Sequence, residues 1–151
     1  MEQGGIMRWT IAVALAAFAA AAWGQDIGQV KVKTGTVHLE REGKRLPVEV
    51  GTPVRQADTL VTGADGTVGI TFTDNSLLSA GPDSVLALDR YAFDTTTHAG
   101  QFDASLKKGT LAVVSGKMVK QSPDAMRVHT PSSIMGVRGT EFVVKVNNPG
   151  L

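Results

Sequence analysis

Residues 58–88 read DTLVTGADGTVGITFTDNSLLSAGPDSVLAL, and the spacing of the apolar positions in this stretch decides the fold class. In Val68-Gly69-Ile70-Thr71-Phe72 the large side chains fall at every second position, so Val68, Ile70 and Phe72 share one face of an extended strand. An amphipathic helix would space them three and four apart. Thr59–Thr62, Leu77-Leu78 and Val85–Leu88 are neighbouring strand candidates. Turn residues separate them. Asp65-Gly66 is a pair that tolerates positive φ in a two-residue hairpin, while Asp74-Asn75 and Gly81-Pro82-Asp83 mark two further turns.

The same pattern continues in both directions. Val30-Lys31-Val32, Val37-His38-Leu39, Val48 and Val50 precede the stretch; Leu111–Val114, Met126–His129 and Phe142–Val146 follow it. After Gln25 no segment of a dozen residues keeps a helical period. Thr130 stands before Pro131 and is pushed away from helical dihedrals. Gly-Thr recurs at residues 35, 51, 66, 109 and 139, at intervals of 16, 15, 43 and 30. Such near-multiples of 15 fit the stacked coils of a β-solenoid. They also fit a plainer reading, in which glycine and threonine are common where turns enter strands. The expectation is an all-β domain: a β-helix-like stack of short strands, with a β-sandwich as the runner-up.

The N-terminus reads as a processing segment. Residues 9–22, WTIAVALAAFAAAA, follow Arg8 and lead to Ala22-Trp23-Gly24, small residues at the two positions a signal peptidase inspects. The run is shorter than the roughly 20 apolar residues of a spanning helix, so residues 1–24 are expected to be a cleaved, helical secretory signal. Met7 is an alternative start. Cleavage leaves residues 25–151 as one domain, periplasmic or secreted, with no stable membrane span. Retention of the segment as an anchor is the competing reading.

Composition removes several classes of function. Formal net charge is +1, which gives no long-range attraction for nucleic acid, and the absence of cysteine removes disulfides, thiol nucleophiles and a lipoprotein anchor. Ser105-Leu106-Lys107-Lys108 and Lys33-Thr34-Gly35 spell two motifs of penicillin-binding enzymes in the wrong order, with the middle motif missing. Gly116-Lys117 lacks the following Ser or Thr and the preceding glycine of a phosphate loop. His38, His98 and His129 have no metal-ligand spacing. Asp58, Asp65, Asp74 and Asp83 lie near predicted turns, where capping explains them better than a glycosidase pair. No catalytic residue, cofactor or metal is assigned.

Two stretches together resemble the FecR protein domain of bacterial iron-uptake regulators and other envelope proteins. One is residues 58–88, with a "D-x-[IL]-x-T" element, an alternating strand and a turn in which Asn75 replaces the usual glycine. The other is residues 126–146, MRVHTPSSIMGVRGTEFVVKV, whose core is Thr130, Pro131, Gly136, Val137, Arg138, Gly139, Thr140, Glu141 and Phe142. Leu106–Leu111 matches a turn between them, and the likeness spans about residues 28–146. It implies the stacked β architecture. In the second stretch Pro131 would fix an extended entry, Gly136 and Gly139 would allow bends that a Cβ forbids, and Arg138 would pin a turn through carbonyl or carboxylate acceptors.

Iron-signalling members add an anti-sigma domain and usually a receptor-contacting domain, so their sigma-regulating activity is not expected to transfer. Related domains commonly continue with further strands after the Phe142 region, and an unpaired last strand would be a sticky edge open to self-association. The expectation is a non-enzymatic binding or scaffold module of the cell envelope, with an envelope protein or glycan as partner. The alternatives are a membrane-anchored accessory of envelope signalling and, more remotely, a cell-wall glycan hydrolase.

Overall fold

A computed structural model describes residues 25–137 and 141–147; the segment read as a signal, together with Arg138, Gly139 and Thr140, lies outside the described residues. The described chain is all-β apart from one short helix, as expected. Its strands form a curled sheet with two arms that face each other across one core.

The arms are built from rungs that bend at a corner. In the first rung, β1 (Asp26–Thr34) lies in one arm and β2 (Val37–Arg41) in the other. The chain then returns through β3 (Lys44–Pro47) and β4 (Pro53–Arg55), which flank β2 and β1 respectively. β5 (Thr59–Thr62) and β6 (Thr67–Phe72) make the next rung, and β7 (Leu77–Ala80) and β8 (Val85–Phe93) the one after. Last comes β9 (Gly100–Val114), one strand long enough to run through both arms. Beside it, β10 (Met126–His129) pairs with its first half and β12 (Glu141–Val146) with its second. β11 (Ile134–Gly136) forms a hairpin with β10.

Successive rungs run in opposite directions. Only β10 on β9 is a parallel ladder among the described residues, whereas coils of a regular β-helix stack in parallel. The short-strand stack therefore takes the form of a curled antiparallel sheet. Its corners still stack. The Gly63 N–H donates to the Thr36 carbonyl (2.9 Å), Asp83 N–H to the Gly63 carbonyl (3.0 Å), and Gly81 N–H to the Thr110 carbonyl (3.0 Å). Thr62 Oγ1 donates to the Gly81 carbonyl at 2.7 Å. The Gly-Thr pairs at 35, 66 and 109 are these corners, and Gly51-Thr52 is the bend between β3 and β4. These four pairs thus mark where the chain changes arm, and Gly139-Thr140 lies outside the described residues.

One sequence expectation changes here. Asp65-Gly66 does not close a hairpin, because β5 pairs with β2 and β8 while β6 pairs with β1 and β7. The turn is a crossing between arms, and the Asp65 carboxylate instead accepts the Thr36 N–H of the adjacent corner at 3.2 Å. Leu106–Leu111, the turn expected between the stretches 58–88 and 126–146, is the bend within β9. Gly109 has φ +96°, and a Cβ there would collide with Ser84. Phe102, Ala104 and Leu106 are buried before the bend, Leu111 and Val113 after it. The bend shifts the period-2 parity by one, so both halves of β9 turn their large side chains inward.

The core is the space between the arms. Phe72 of one arm meets Tyr91 and Phe102 of the other, with ring centroids 5.6 and 4.8 Å apart. The helix α1 (Lys117–Gln121) buries Met118 and Val119. No helix among the described residues is long and apolar enough to cross a membrane.

Candidate functional site

The carboxylates come first, because they are the usual carriers of chemistry. Asp58 and Asp74 are each 1% exposed. Asp58 accepts Arg41 Nε (2.8 Å) and NH2 (2.7 Å) in a bidentate pair, and also the Arg55 N–H (2.7 Å). That hydrogen bond from the guanidinium raises the Arg41 pKa above its ordinary value. Asp74 accepts the Ser76 N–H (3.0 Å), the Ser76 hydroxyl (2.7 Å) and the first-turn N–H of Met118 (3.4 Å). The Tyr91 hydroxyl lies against Asp74 and Thr73, and burial pushes its pKa up to about 12. Asn75 takes φ 71°, the left-handed conformation that asparagine tolerates in place of glycine. Both buried aspartates thus hold turns in place. Asp65 and Asp83 are exposed corner residues. Ser105 Oγ donates to Asp89 from within β9, in the extended setting its sequence suggested.

The sheet also has free edges. A strand edge presents unpaired N–H and C=O groups to any extended chain, and natural sheets protect such edges with charge, proline or brevity. β3 carries Lys44, Arg45 and Pro47. β4 has three residues and begins with Pro53. β11 also has three residues. β12, Glu-Phe-Val-Val-Lys-Val, has six residues, no proline and Val143 68% exposed at its middle. Among the described residues it pairs with β9 alone. Glu141 and Lys145 flank Val143 on it, but it is the longest of these four edge strands and contains no proline.

Which backbone groups face outward follows from β9. Thr110 directs its carbonyl to Gly81 and its N–H to Ser84 Oγ (3.0 Å), on the side away from β12. Peptide groups alternate along a strand, so Leu111 and Val113 face β12 and bond Val144 and Phe142, their registered partners. Glu141, Val143 and Lys145 then turn their backbone groups to the open side. Val144 is buried, and Phe142 and Val146 pack against the core from the inner face.

Beside this edge lies a hollow of about 530 Å³, floored by Val143–Asn147 and walled by the β10–β11 turn. That turn holds two of the residues singled out from sequence. Thr130 donates its N–H to the Ser133 carbonyl (2.8 Å) and accepts the Ser133 N–H on its hydroxyl (3.1 Å), and Pro131 occupies the turn they close. Phe142 lies in β12 as expected. Gly136 lies in β11 opposite Arg127, and a Cβ there would meet nothing within 4 Å. The bend that a Cβ would forbid is therefore not what places glycine at 136. Arg138, with the turn-pinning role expected for it, lies outside the described residues together with Gly139 and Thr140. Sequence reasoning missed the contrast between the edges, although the prolines and charges of β3 and β4 carried it.

Residues 58–150 match the family described as FecR protein. The chain belongs to the FecR family. The match begins at the buried Asp58 and takes in the last three rungs, the hairpin and β12. FecR proteins are envelope-associated and serve in envelope and iron-uptake signalling, generally without enzymatic activity. Neither the curated proteins nor the solved structures contain a match to this chain.

Proposed function

We propose that this FecR domain is an exported, non-enzymatic binding module of the bacterial envelope, periplasmic or secreted, that engages its partner by strand addition at β12. The observation that carries the reading is the contrast among the edge strands: β3 and β4 contain proline and β4 and β11 have three residues, whereas β12 has six residues, no proline and the exposed Val143 between Glu141 and Lys145. Main-chain hydrogen bonds to an added strand supply affinity, and alternate side chains supply selectivity. The hollow walled by Thr130–Ser133 leaves room beside the strand for the incoming chain. Two buried aspartates committed to turns support a role without bond chemistry.

The test is site-directed photo-crosslinking in cells that export the protein. A photoreactive side chain at Val143 is expected to give an adduct, while the same group at the exposed Arg45 on the β3 edge gives none. Equal labelling at both positions, or none at Val143, would refute strand addition. N-terminal sequencing of the exported form checks the rest, with Gln25 as the expected first residue.

A further inference from the structure

We infer that the strand added to β12 is β12 of a second copy of this chain, paired antiparallel about a twofold axis at Val143. This rests on the strand-addition reading and names its partner. A twofold pairing must match outward-facing residues with outward-facing residues, because only these have unpaired backbone groups. The outward set is Glu141, Val143 and Lys145. Centring the axis on Val143 sets Val143 against its own copy, Glu141 against the copy's Lys145, and Lys145 against the copy's Glu141.

Every outward N–H and C=O from 141 to 145 then gains a partner. A shift of the axis by one residue either way breaks this match. It sets Val143 opposite a charged residue, and either Glu141 or Lys145 loses its partner within the strand.

Charge selects the same register. Two opposite-charge cross-strand pairs flank a central apolar pair, the side-chain arrangement that stabilises antiparallel ladders. All three outward side chains are exposed in the single copy, so none has to leave the core to make these contacts. At the corner end Lys145 shares a hollow with Lys108 and with the carboxylate Asp83. Opposite Val143 on β9 stands Ala112, followed across the sheet by Ser79 and Gly69. These small residues leave the outer face beside Val143 unobstructed. The two six-stranded arms would join into one continuous sheet.

The experiment is sedimentation equilibrium on the purified chain from Gln25 onward, across a wide concentration range. The wild type is expected to dimerise. Lys145→Glu and Glu141→Lys each set like charges opposite one another twice, and each should weaken the dimer about tenfold or more. An equimolar mixture of the two variants restores opposite charges at every position, and is expected to form the mixed dimer with near wild-type affinity. Val143→Pro removes a central outward N–H without touching the β9 ladder, and should abolish dimerisation with the far-ultraviolet spectrum unchanged.

A strictly monomeric wild type would overturn the inference. So would a dimer indifferent to both charge variants, or single variants that fail to recover on mixing. The outcome for the broader reading stays distinct. A photo-adduct at Val143 with a different protein, from a chain that is monomeric when pure, refutes self-pairing and leaves strand addition standing.

Discussion

Replacing Asp58 by asparagine tests whether the buried carboxylate holds the first rungs together. Asp58 receives three hydrogen bonds, two from the Arg41 guanidinium and one from the Arg55 N–H, all between 2.7 and 2.8 Å. An amide keeps one accepting oxygen and points an N–H₂ group at donors, so at least one bond is lost and a donor faces a donor. Bonds to charged groups contribute about 1.5–3 kcal/mol each. Arg41 is 22% exposed and can turn part of its guanidinium to water, which places the cost near the lower end of the range for a broken buried pair, about 3 kcal/mol. The melting temperature should fall by roughly 10 °C. Urea unfolding followed by circular dichroism measures the loss for Asp58→Asn, Arg41→Met and the double variant. The pair should couple by about 1 kcal/mol or more. A loss under about 0.5 kcal/mol for Asp58→Asn, or additive single effects, would refute the clamp.

Other perturbations bear on the same framework. The folded Tyr91 pKa of about 12 lies above the unfolded value of about 10. The stabilisation from its neutral hydroxyl is therefore complete below about pH 10 and lost as pH rises toward 12, by at most about 3 kcal/mol. Tyr91 is the single tyrosine, so tyrosinate absorbance reads it alone, and Tyr91→Phe should remove that alkaline loss. Gly109→Ala places a Cβ against Ser84 at a positive φ and should cost roughly 3 kcal/mol. Gly136→Ala enters open space and should change stability by less than about 0.5 kcal/mol; chemical denaturation distinguishes the two. Backbone hydrogen bonds at Thr36 hold the Asp65 carboxyl below its ordinary range. Its contribution is thus present above the unfolded aspartate pKa and disappears as pH falls through the folded value, which a carboxyl-carbon NMR titration would show.

Much of the strand content was legible because burial on one face forces period 2. Val68, Ile70 and Phe72 are each 2% exposed, as their alternation required. The first half of β9 escaped notice for a physical reason. Its apolar residues keep one parity up to Leu106 and the other from Leu111, so no single alternation runs through the bend. The helix α1 is five residues long, too short to display a period. Pairing was less legible than strands, since Asp65-Gly66 has hairpin chemistry yet joins strands that do not pair. Of the site, sequence located Thr130, Pro131 and Phe142 and raised a sticky last strand, but not which neighbours leave it open. An open edge is a property of neighbours, and the neighbours of β12 are fixed by the whole stack.

The length of β9 has a consequence for the order in which the molecule can close. β7 has β6 on one side and β8 has β5, and the other side of each is completed by β9. A chain delivered N-terminus first therefore holds two unsatisfied edges, one per arm, until residues 100–114 arrive. Both are then sealed by one continuous segment, so the arms lock together rather than in turn. The interval before that arrival is when the nascent protein is most exposed to stray pairing. A chaperone that shields it has its task bounded by the emergence of a single strand.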